Sequence, residues 1–451
     1  MGKLFGTDGV RGIANTELTP DLAFELGKAG AYVLGKTGNH EKPTIIIGRD
    51  TRISGNMLED ALSAGILSVG GNVKKAGIIT TPGIAYLVGR ENATAGVVIS
   101  ASHNPFEYNG IKFFNSKGFK LDDSIEEEIE DIVLNKKETG EPVTGESLGY
   151  EIDCTSRDME DYSSYLVDSI DVDISDLKIV IDCANGASYQ VADLVFQKLG
   201  ADVTLIGNEP DGININDGVG STHPELLQKK VRELNADIGL AYDGDADRLI
   251  AVDEKGETVN GDRIIYICAR QMKNEGRLKN NLVITTVMSN IGLGMAFDKD
   301  YIEMKQSKVG DRYVLEMMQQ TNSIIGGEQS GHLIFLDKNT TGDGIYASLQ
   351  LLKAVKLSGK SLSELSHEVT IYPQILINAK VKPENKEKYK EDEEITESIK
   401  NMENKIAGRG RILIRPSGTE PLVRVMLEGD DYEGMKAMAT ELADLISRKL
   451  G

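Results

Sequence analysis

The run Asp243-Gly244-Asp245-Ala246-Asp247-Arg248 places three carboxylates at alternate positions directly behind the apolar segment DIGLAY. Carboxylates packed so closely repel one another unless a cation neutralises them, and oxygen-only ligands select a hard ion, Mg²⁺ or Ca²⁺. A polar Asp/Gly turn between strands is the plain alternative. An EF-hand also alternates Asp, and Glu254 falls at its twelfth loop position; Arg248, however, stands where the sixth position needs Gly, and the flanks read as strands. A Mg²⁺-dependent phosphatase with a nucleophilic Asp is the stronger rival.

A second chemical stretch, Ser100-Ala101-Ser102-His103-Asn104-Pro105, follows the apolar run AGVVI. It lacks the G-x-S-x-G form of a hydrolase nucleophile, and the chain's 5 histidines suggest no triad. A serine that carries a phosphoryl group has other needs: a divalent cation, donors for its oxygens, and an ammonium or guanidinium to balance charge. Asp243, Asp245 and Asp247 would supply the cation site, with Lys112 in YNGIKFF and Arg11 in FGTDGVRG as cationic groups. Read alone, SASHNP is equally a capping turn. In RPSGTEPLVR, Arg415, Ser417, Gly418 and Thr419 offer donors on a tight turn suited to phosphate, and Arg424 can close it; an ordinary hairpin turn reads the same way. In GGEQSGH, Glu328, Ser330 and His332 suit sugar hydroxyls, although a structural Gly-rich loop fits as well.

Composition narrows the partners. The chain has 451 residues, 40% apolar and 27% charged, which is the profile of a globular protein of three or four domains. A formal charge of -21 disfavours nucleic acid, whose phosphates are bound by fields of Lys and Arg. An anionic small substrate stays open, because a local Arg/Gly cluster binds phosphate inside a net acidic protein. Neither a targeting signal nor a membrane-length apolar run is visible, so a cytoplasmic location without membrane partners is expected. Cys154, Cys183 and Cys268 are widely spaced, predicting free buried thiols rather than disulfides or a zinc knuckle.

The elements that must position these residues alternate between helical and β-branched segments. A helix is predicted over 19–36 with Thr19 as N-cap and Pro20 in the first turn. PTIIIGRD follows as a strand, then the helix SGNMLEDALSAGIL and the strands VKKAGII and AGVVIS. Two further rounds follow, with KIVIDC, DVTLIG, DIGLAY and NLVITTVM as strands and a turn at Asn290 to Gly294. Such alternation favours mainly parallel sheets with helices on both faces. The polar stretch 134–149 reads as a loop or hairpin closing the first unit. The charge run 382–405 reads as a solvated helix with an apolar stripe of Ile395, Ile399 and Met402. Two strands around a turn and a last helix complete an α+β unit.

Taken in order, FGTDGVRG, GRDTR, ISASHNPFEYNGIKFF, DCANGAS, PDGININDGVGSTHPE, DGDADR, KVGDRYV, GGEQSGH and RPSGTEPLVRVM make the chain resemble the α-D-phosphohexomutase superfamily over nearly its whole length. The resemblance implies three α/β/α layered domains with mixed sheets (1–154, phosphoserine-bearing; 155–256, metal-binding; 257–370, sugar recognition). A smaller α+β domain (371–451, phosphate-binding) follows, with all four around a central cleft.

It further implies Ser102 as the phosphoserine, with Asp243, Asp245, Asp247 and a phosphoryl oxygen on Ser102 holding one Mg²⁺ per active site. Glu328, Ser330 and His332 are implied as sugar contacts, and Arg415, Ser417, Gly418, Thr419 and Arg424 as the hold on the unreacting phosphate. Lys112 is implied in proton transfer, helped by Arg11, His103 and Arg248. The implied reaction interconverts hexosamine 6- and 1-phosphates through a 1,6-bisphosphate that also serves as activator, feeding UDP-N-acetylglucosamine synthesis. GEQSGH with KVGDRYV resembles the glucosamine branch; glucose or mannose phosphates are the alternative substrates, and a Mg²⁺-dependent sugar phosphatase or a silent sugar-phosphate sensor are the alternatives of other classes. A monomer or homodimer is expected. One local departure is Ala246, where many members of that superfamily have Gly, which puts the loop's backbone freedom in question.

Overall fold

A computed structural model describes residues 4–6, 8–37, 42–417 and 420–451. Two units divide the chain, one built from 1–286 and 305–367 and the other from 287–304 and 368–451.

In the first unit, the predicted opening helix forms at Pro20–Thr37, with Thr19 Oγ1 accepting from Leu22 N at 3.2 Å. It packs on the helix Gly55–Ser68, and glycines allow their backbones to touch. A Cβ on Gly65 would meet the Phe24 carbonyl oxygen at 2.1 Å, and one on Gly27 the Leu62 oxygen at 2.2 Å. These helices cover one face of a seven-stranded sheet, where Ile45, Ile47, Val97, Ile99, Ile111 and Phe113 join Leu26, Leu62 and Ile66 in one core. Side chains alternate along a strand, so Ile46, Val98 and Lys112 face the other side, against the helix Thr81–Arg90. The polar stretch 134–149 is the loop expected, and it leads to a short edge strand, Glu151–Asp153, parallel to Asn72–Ile78.

The sheets are mixed, and their antiparallel members flank the chemical loops. Thr44–Arg49 runs parallel to Asn72–Ile78 and Ala95–Ile99, but Ala95–Ile99 is antiparallel to Tyr108–Asn115. In the second sheet Lys178–Asp182 is parallel to Asp202–Ile206 and Ile238–Tyr242, whereas Ile238–Tyr242 returns antiparallel as Leu249–Asp253. SASHNP and DGDADR are therefore the connections of two hairpins. Short polar connections permit this, because an antiparallel return needs no crossover helix. Further on, Ile325–Gly327 pairs parallel with Leu282–Thr286 and antiparallel with Leu333–Phe335.

The second unit holds the helix Ile291–Lys299, capped by the Asn290 side chain, where sequence predicts a turn. The cap and the apolar spacing of Ile291, Leu293 and Phe297 outweigh the two glycines that suggest the turn. Its antiparallel sheet pairs Leu422–Gly429 with both Gln374–Lys380 and Gly410–Pro416. The charge run ends in the helix Glu393–Ile406, whose Ile395 and Met402 enter a core with Leu442 and Ile446, with Ile399 packed at its edge. All three cysteines are free and buried. Among the described residues no helix is long and apolar enough to cross a membrane.

The glycine contacts yield a paired prediction. Gly65→Ala forces the two helices apart and lowers unfolding free energy by about 1–3 kcal/mol. Gly89→Ala, on a helix position with open space around it, raises it by up to about 1 kcal/mol. Urea denaturation of both variants checks the sign of each change.

Candidate active site

Ser102 is 1% exposed and stands in the left-handed region at φ +53°. A serine holds that conformation only when its surroundings impose it, at a cost of about 1–2 kcal/mol. The imposing group is Arg52, itself 1% exposed. Its guanidinium donates to the carbonyl oxygens of Ser102 at 2.9 Å, Asn104 at 2.8 Å and Tyr108 at 3.0 Å, and also to that of Pro105. Asp50 holds Arg52 Nε at 2.8 Å and accepts from Ser100 Oγ at 2.6 Å, and Ser100 Oγ in turn accepts from Ser102 N at 3.0 Å. Asn216 Nδ2 adds a bond to the Ser102 carbonyl at 3.0 Å.

The two hairpin loops meet at Gly244, where a Cβ would approach the Ser102 carbonyl oxygen to 2.6 Å. Ser102 Oγ donates to Asp243 Oδ2 at 2.6 Å, and His103 Nδ1 lies 3.3 Å from the same hydroxyl. Asp243, Asp245 and Asp247 are all buried and offer one oxygen each within 4.8 Å of one another. Lys112, placed opposite Val98 by strand register, donates to Asp245 Oδ2 at 2.8 Å, and Thr81 Oγ1 donates to the same oxygen at 2.6 Å. Arg248 lies farther off, its Nε 3.9 Å from Asp243 and 3.8 Å from Asp247. Ala246 holds φ +56° without being glycine; its amide donates to the Asp243 carbonyl oxygen at 3.0 Å and its own carbonyl accepts from Gly344 N at 2.9 Å.

Charge in this cluster is unevenly compensated. Burial, then repulsion from Asp247 and Asp245, pushes the Asp243 carboxyl well above the usual range. Asp247 is raised by burial and by Asp245. Burial opposes ionisation of Asp245 too, but Lys112 holds it below the usual range. One oxygen of Asp245 and one of Asp247 are buried with no hydrogen-bond partner among the described residues. Orphaned carboxylate oxygens converging at this spacing fit a hard divalent cation. Lys112 stays an ammonium: burial disfavours the charge, yet Asp245 and Asp8 raise its pKa above the usual lysine range. His103 goes the other way, lowered to about 4 by burial and by the fields of Arg248 and Arg11.

Around this centre, Arg11 pairs with Asp8. His332 is buried, neither ring nitrogen has a hydrogen-bond partner among the described residues, and its Nε2 lies 3.8 Å from Asp247 and 3.8 Å from Asp311. A β-bridge between His332 and Arg248 ties its loop to the carboxylate loop. Glu328 accepts from Gly310 N at 3.1 Å, and Ser330 is exposed.

In the second unit, Arg415 and Arg424 face each other in strand register, and burial together with the Arg424 charge lowers the Arg415 pKa. Ser417 is 3% exposed and its Oγ accepts from Glu420 N at 3.2 Å. Gly418 and Thr419 lie outside the described residues. Two opposed guanidiniums repel unless an anion sits between them.

Sequence reasoning missed Asp8, Asp50, Arg52, Thr81, Lys120, Asn216 and Asp311. A signal existed for two of them: Asp50 and Arg52 follow directly on a strand of four buried residues in six, where charges are buried only in pairs.

Comparison with known proteins identifies the family. Domains I, II and III of the phosphoglucomutase/phosphomannomutase alpha/beta/alpha type match residues 2–140, 160–256 and 260–372, and the C-terminal domain of that type matches 376–445. The four domains are those of a phosphosugar mutase: the chain belongs to the phosphoglucomutase/phosphomannomutase family, and it is an enzyme of that family. Among curated relatives it is 57% identical over 449 residues to the phosphoglucosamine mutase of Clostridium novyi (strain NT), covering 100% of this chain and 99% of that one. It is 58% identical over 450 residues to that of Thermoanaerobacter pseudethanolicus, covering 100% of both. Its fold matches a phosphoglucomutase/phosphomannomutase family protein of Burkholderia thailandensis at TM-score 0.81 and 23% identity, over 99% and 98% of the two chains. It also matches an Aspergillus fumigatus N-acetylphosphoglucosamine mutase solved with GlcNAc-6P and magnesium, at TM-score 0.69 and 15% identity, over 99% and 96%.

Two outcomes follow from the site's electrostatics. Replacing Arg52 by Met strands the buried Asp50 carboxylate and four loop carbonyls, lowering unfolding free energy by about 3–5 kcal/mol, measurable by urea denaturation. His103 binds its proton in the unfolded chain below about pH 6.5 but in the folded protein only below about 4. Between those values the unfolded state holds more protons, so His103 makes stability rise with pH across that window and fall as pH drops. His103→Gln flattens that slope, which melting temperatures from pH 4 to 7 report.

Proposed function

We propose that this enzyme interconverts α-D-glucosamine 6-phosphate and α-D-glucosamine 1-phosphate through phospho-Ser102 and a 1,6-bisphosphate. The single observation that carries the reading is the 2.6 Å contact of the Ser102 hydroxyl with Asp243, inside a trio of buried, under-compensated carboxylates. The choice of an amino sugar rests on the full-length relatives named phosphoglucosamine mutase.

Asp243, Asp245 and Asp247 are the proposed magnesium ligands, completed by an oxygen of phospho-Ser102. Bound there, the ion supplies positive charge to the phosphoryl oxygens. In the first half-reaction the bond from phosphorus to Ser102 Oγ breaks as a bond to substrate O1 forms. Lys112, as ammonium, gives a proton to the leaving Oγ and is recharged from the attacking hydroxyl. Arg11 and Arg248 balance the moving charge, and neutral His103, its Nδ1 3.3 Å from Ser102 Oγ, stands beside the oxygen that is freed. The bisphosphate turns end for end, and its O6 phosphoryl returns to Ser102 by the reverse proton path. Free bisphosphate recharges an enzyme that has lost its phosphoryl group, which is its role as activator.

The division of labour is proposed along the chain: 1–154 bears the phosphoserine and 155–256 the metal. Segment 257–370 recognises the sugar through Glu328, Ser330 and His332. Segment 371–451 holds a phosphate through Arg415, Ser417, Gly418, Thr419 and Arg424. The opposed guanidiniums of Arg415 and Arg424 support the last assignment.

Ser102→Ala retains substrate binding and loses turnover by roughly a thousandfold or more. Peptide mass spectrometry of the native enzyme finds a phosphoryl adduct on Ser102 that glucose 1,6-bisphosphate restores after its loss. Full activity in Ser102→Ala, or inorganic phosphate as the product, refutes the covalent scheme. Parallel assays with glucosamine, glucose and mannose phosphates decide the sugar.

A further inference from the structure

We propose that Lys120, acting through Asp8, is a positioning residue that fixes the Lys112 ammonium in the phosphoryl-transfer site and registers it against the sugar-contact loop. This rests on the mutase reading above and adds two residues to it. Lys120 follows the strand Tyr108–Asn115 and bridges back to Phe114. Its ammonium reaches Asp8 Oδ1 at 2.5 Å and Asp311 Oδ2 at 2.5 Å. The other oxygen of Asp8 is 3.0 Å from Lys112 Nζ and also takes Arg11. One carboxylate thus joins the two lysines.

The far partner, Asp311, opens the helix Asp311–Thr321. The preceding Gly310 donates its amide to Glu328 at 3.1 Å, and the Asp311 carboxylate stands 3.8 Å from His332. On one side, then, Lys120 holds the carboxylate that orients Lys112; on the other it holds the start of the helix whose preceding Gly310 amide donates to Glu328. The chain of contacts closes on itself, because His332 approaches Asp247 at 3.8 Å in the loop whose Asp245 holds Lys112.

Stability alone does not explain such an arrangement. Apolar side chains of equal volume usually stabilise as well as a buried ion-pair network does, or better. What the network provides is direction. The Lys112 ammonium is 2% exposed between two carboxylates, and Lys120 holds the Asp8 oxygen that Lys112 and Arg11 leave open. Burial works against charge on Lys120 and on Asp8, yet their partners keep the one above and the other below its usual pKa, so the contacts stay ionic.

The test uses the full-length enzyme charged with glucose 1,6-bisphosphate and assayed with glucosamine 6-phosphate. Lys120→Met is expected to lower kcat on the order of a hundredfold, the scale of a displacement of about 1 Å at the reacting groups, with KM changed by less than about threefold. Lys120→Arg, which can pair with both carboxylates, recovers most of that loss. A kcat for Lys120→Met within about twofold of the unaltered enzyme, or a Lys120→Arg variant no better than Lys120→Met, overturns the positioning role. Should Lys120→Met fail to fold by circular dichroism, Asp311→Asn decides on the same kcat and KM criteria. Failure of the unaltered enzyme to turn over glucosamine 6-phosphate strikes the mutase reading instead, so the two failures are separable.

Discussion

Three carboxylates buried side by side, with too few positive charges to answer them, set the terms for the rest of this molecule. Asp245 takes Lys112 and Thr81 on one oxygen only. Asp243 has the Ser102 hydroxyl and the Arg248 amide, the latter at 3.2 Å. Asp247 has Arg248 and His332, each 3.8 Å away. An arrangement of this kind is unfavourable when empty, because like charges in a poorly solvated space raise one another's pKa. It becomes favourable when a divalent cation is bound, and the imbalance is the physical content of the metal assignment.

The backbone carries a second unfavourable term for the same purpose. Ser102 and Ala246, one on each hairpin, both hold left-handed conformations, and both are locked by bonds to backbone atoms. Arg52 binds four carbonyl oxygens of the serine loop, leaving that loop no low-energy route to relax. A flexible serine would visit the carboxylates; a clamped one stays beside them. Preorganisation of this sort lowers the reorganisation needed when charge moves.

How much of this could be read from the sequence depended on whether a residue announces its environment locally. The alternating Asp243, Asp245 and Asp247 are conspicuous because their spacing alone implies repulsion, and SASHNP stands out as polar residues at the mouth of an apolar strand. The helix at Pro20 is legible from its cap. The helix at Ile291 is hidden by Gly292 and Gly294, whose low propensity is overridden by packing. Asp8, Lys120 and Asp311 have no local signature: they matter through one another, across 112 and 191 positions of sequence. Single-sequence reasoning finds chemistry concentrated in a motif far more readily than chemistry distributed over a network.

The mixed sheets explain why the concentrated part is concentrated. In a purely parallel sheet each strand end leads into a helix, and a loop there is anchored on one side by a strand alone. Both chemical loops here are instead hairpin connections, gripped at each end by paired strands: Ile99 faces Ile111 and Tyr242 faces Leu249. Register then does the positioning. A shift of one residue between Ala95–Ile99 and Tyr108–Asn115 would turn Lys112 from the carboxylate side into the core occupied by Ile111 and Phe113. The apolar alternation that buries those two residues is therefore also what aims the ammonium at Asp245, so the packing of the first domain and the electrostatics of the site are one constraint seen from two faces of the same strand.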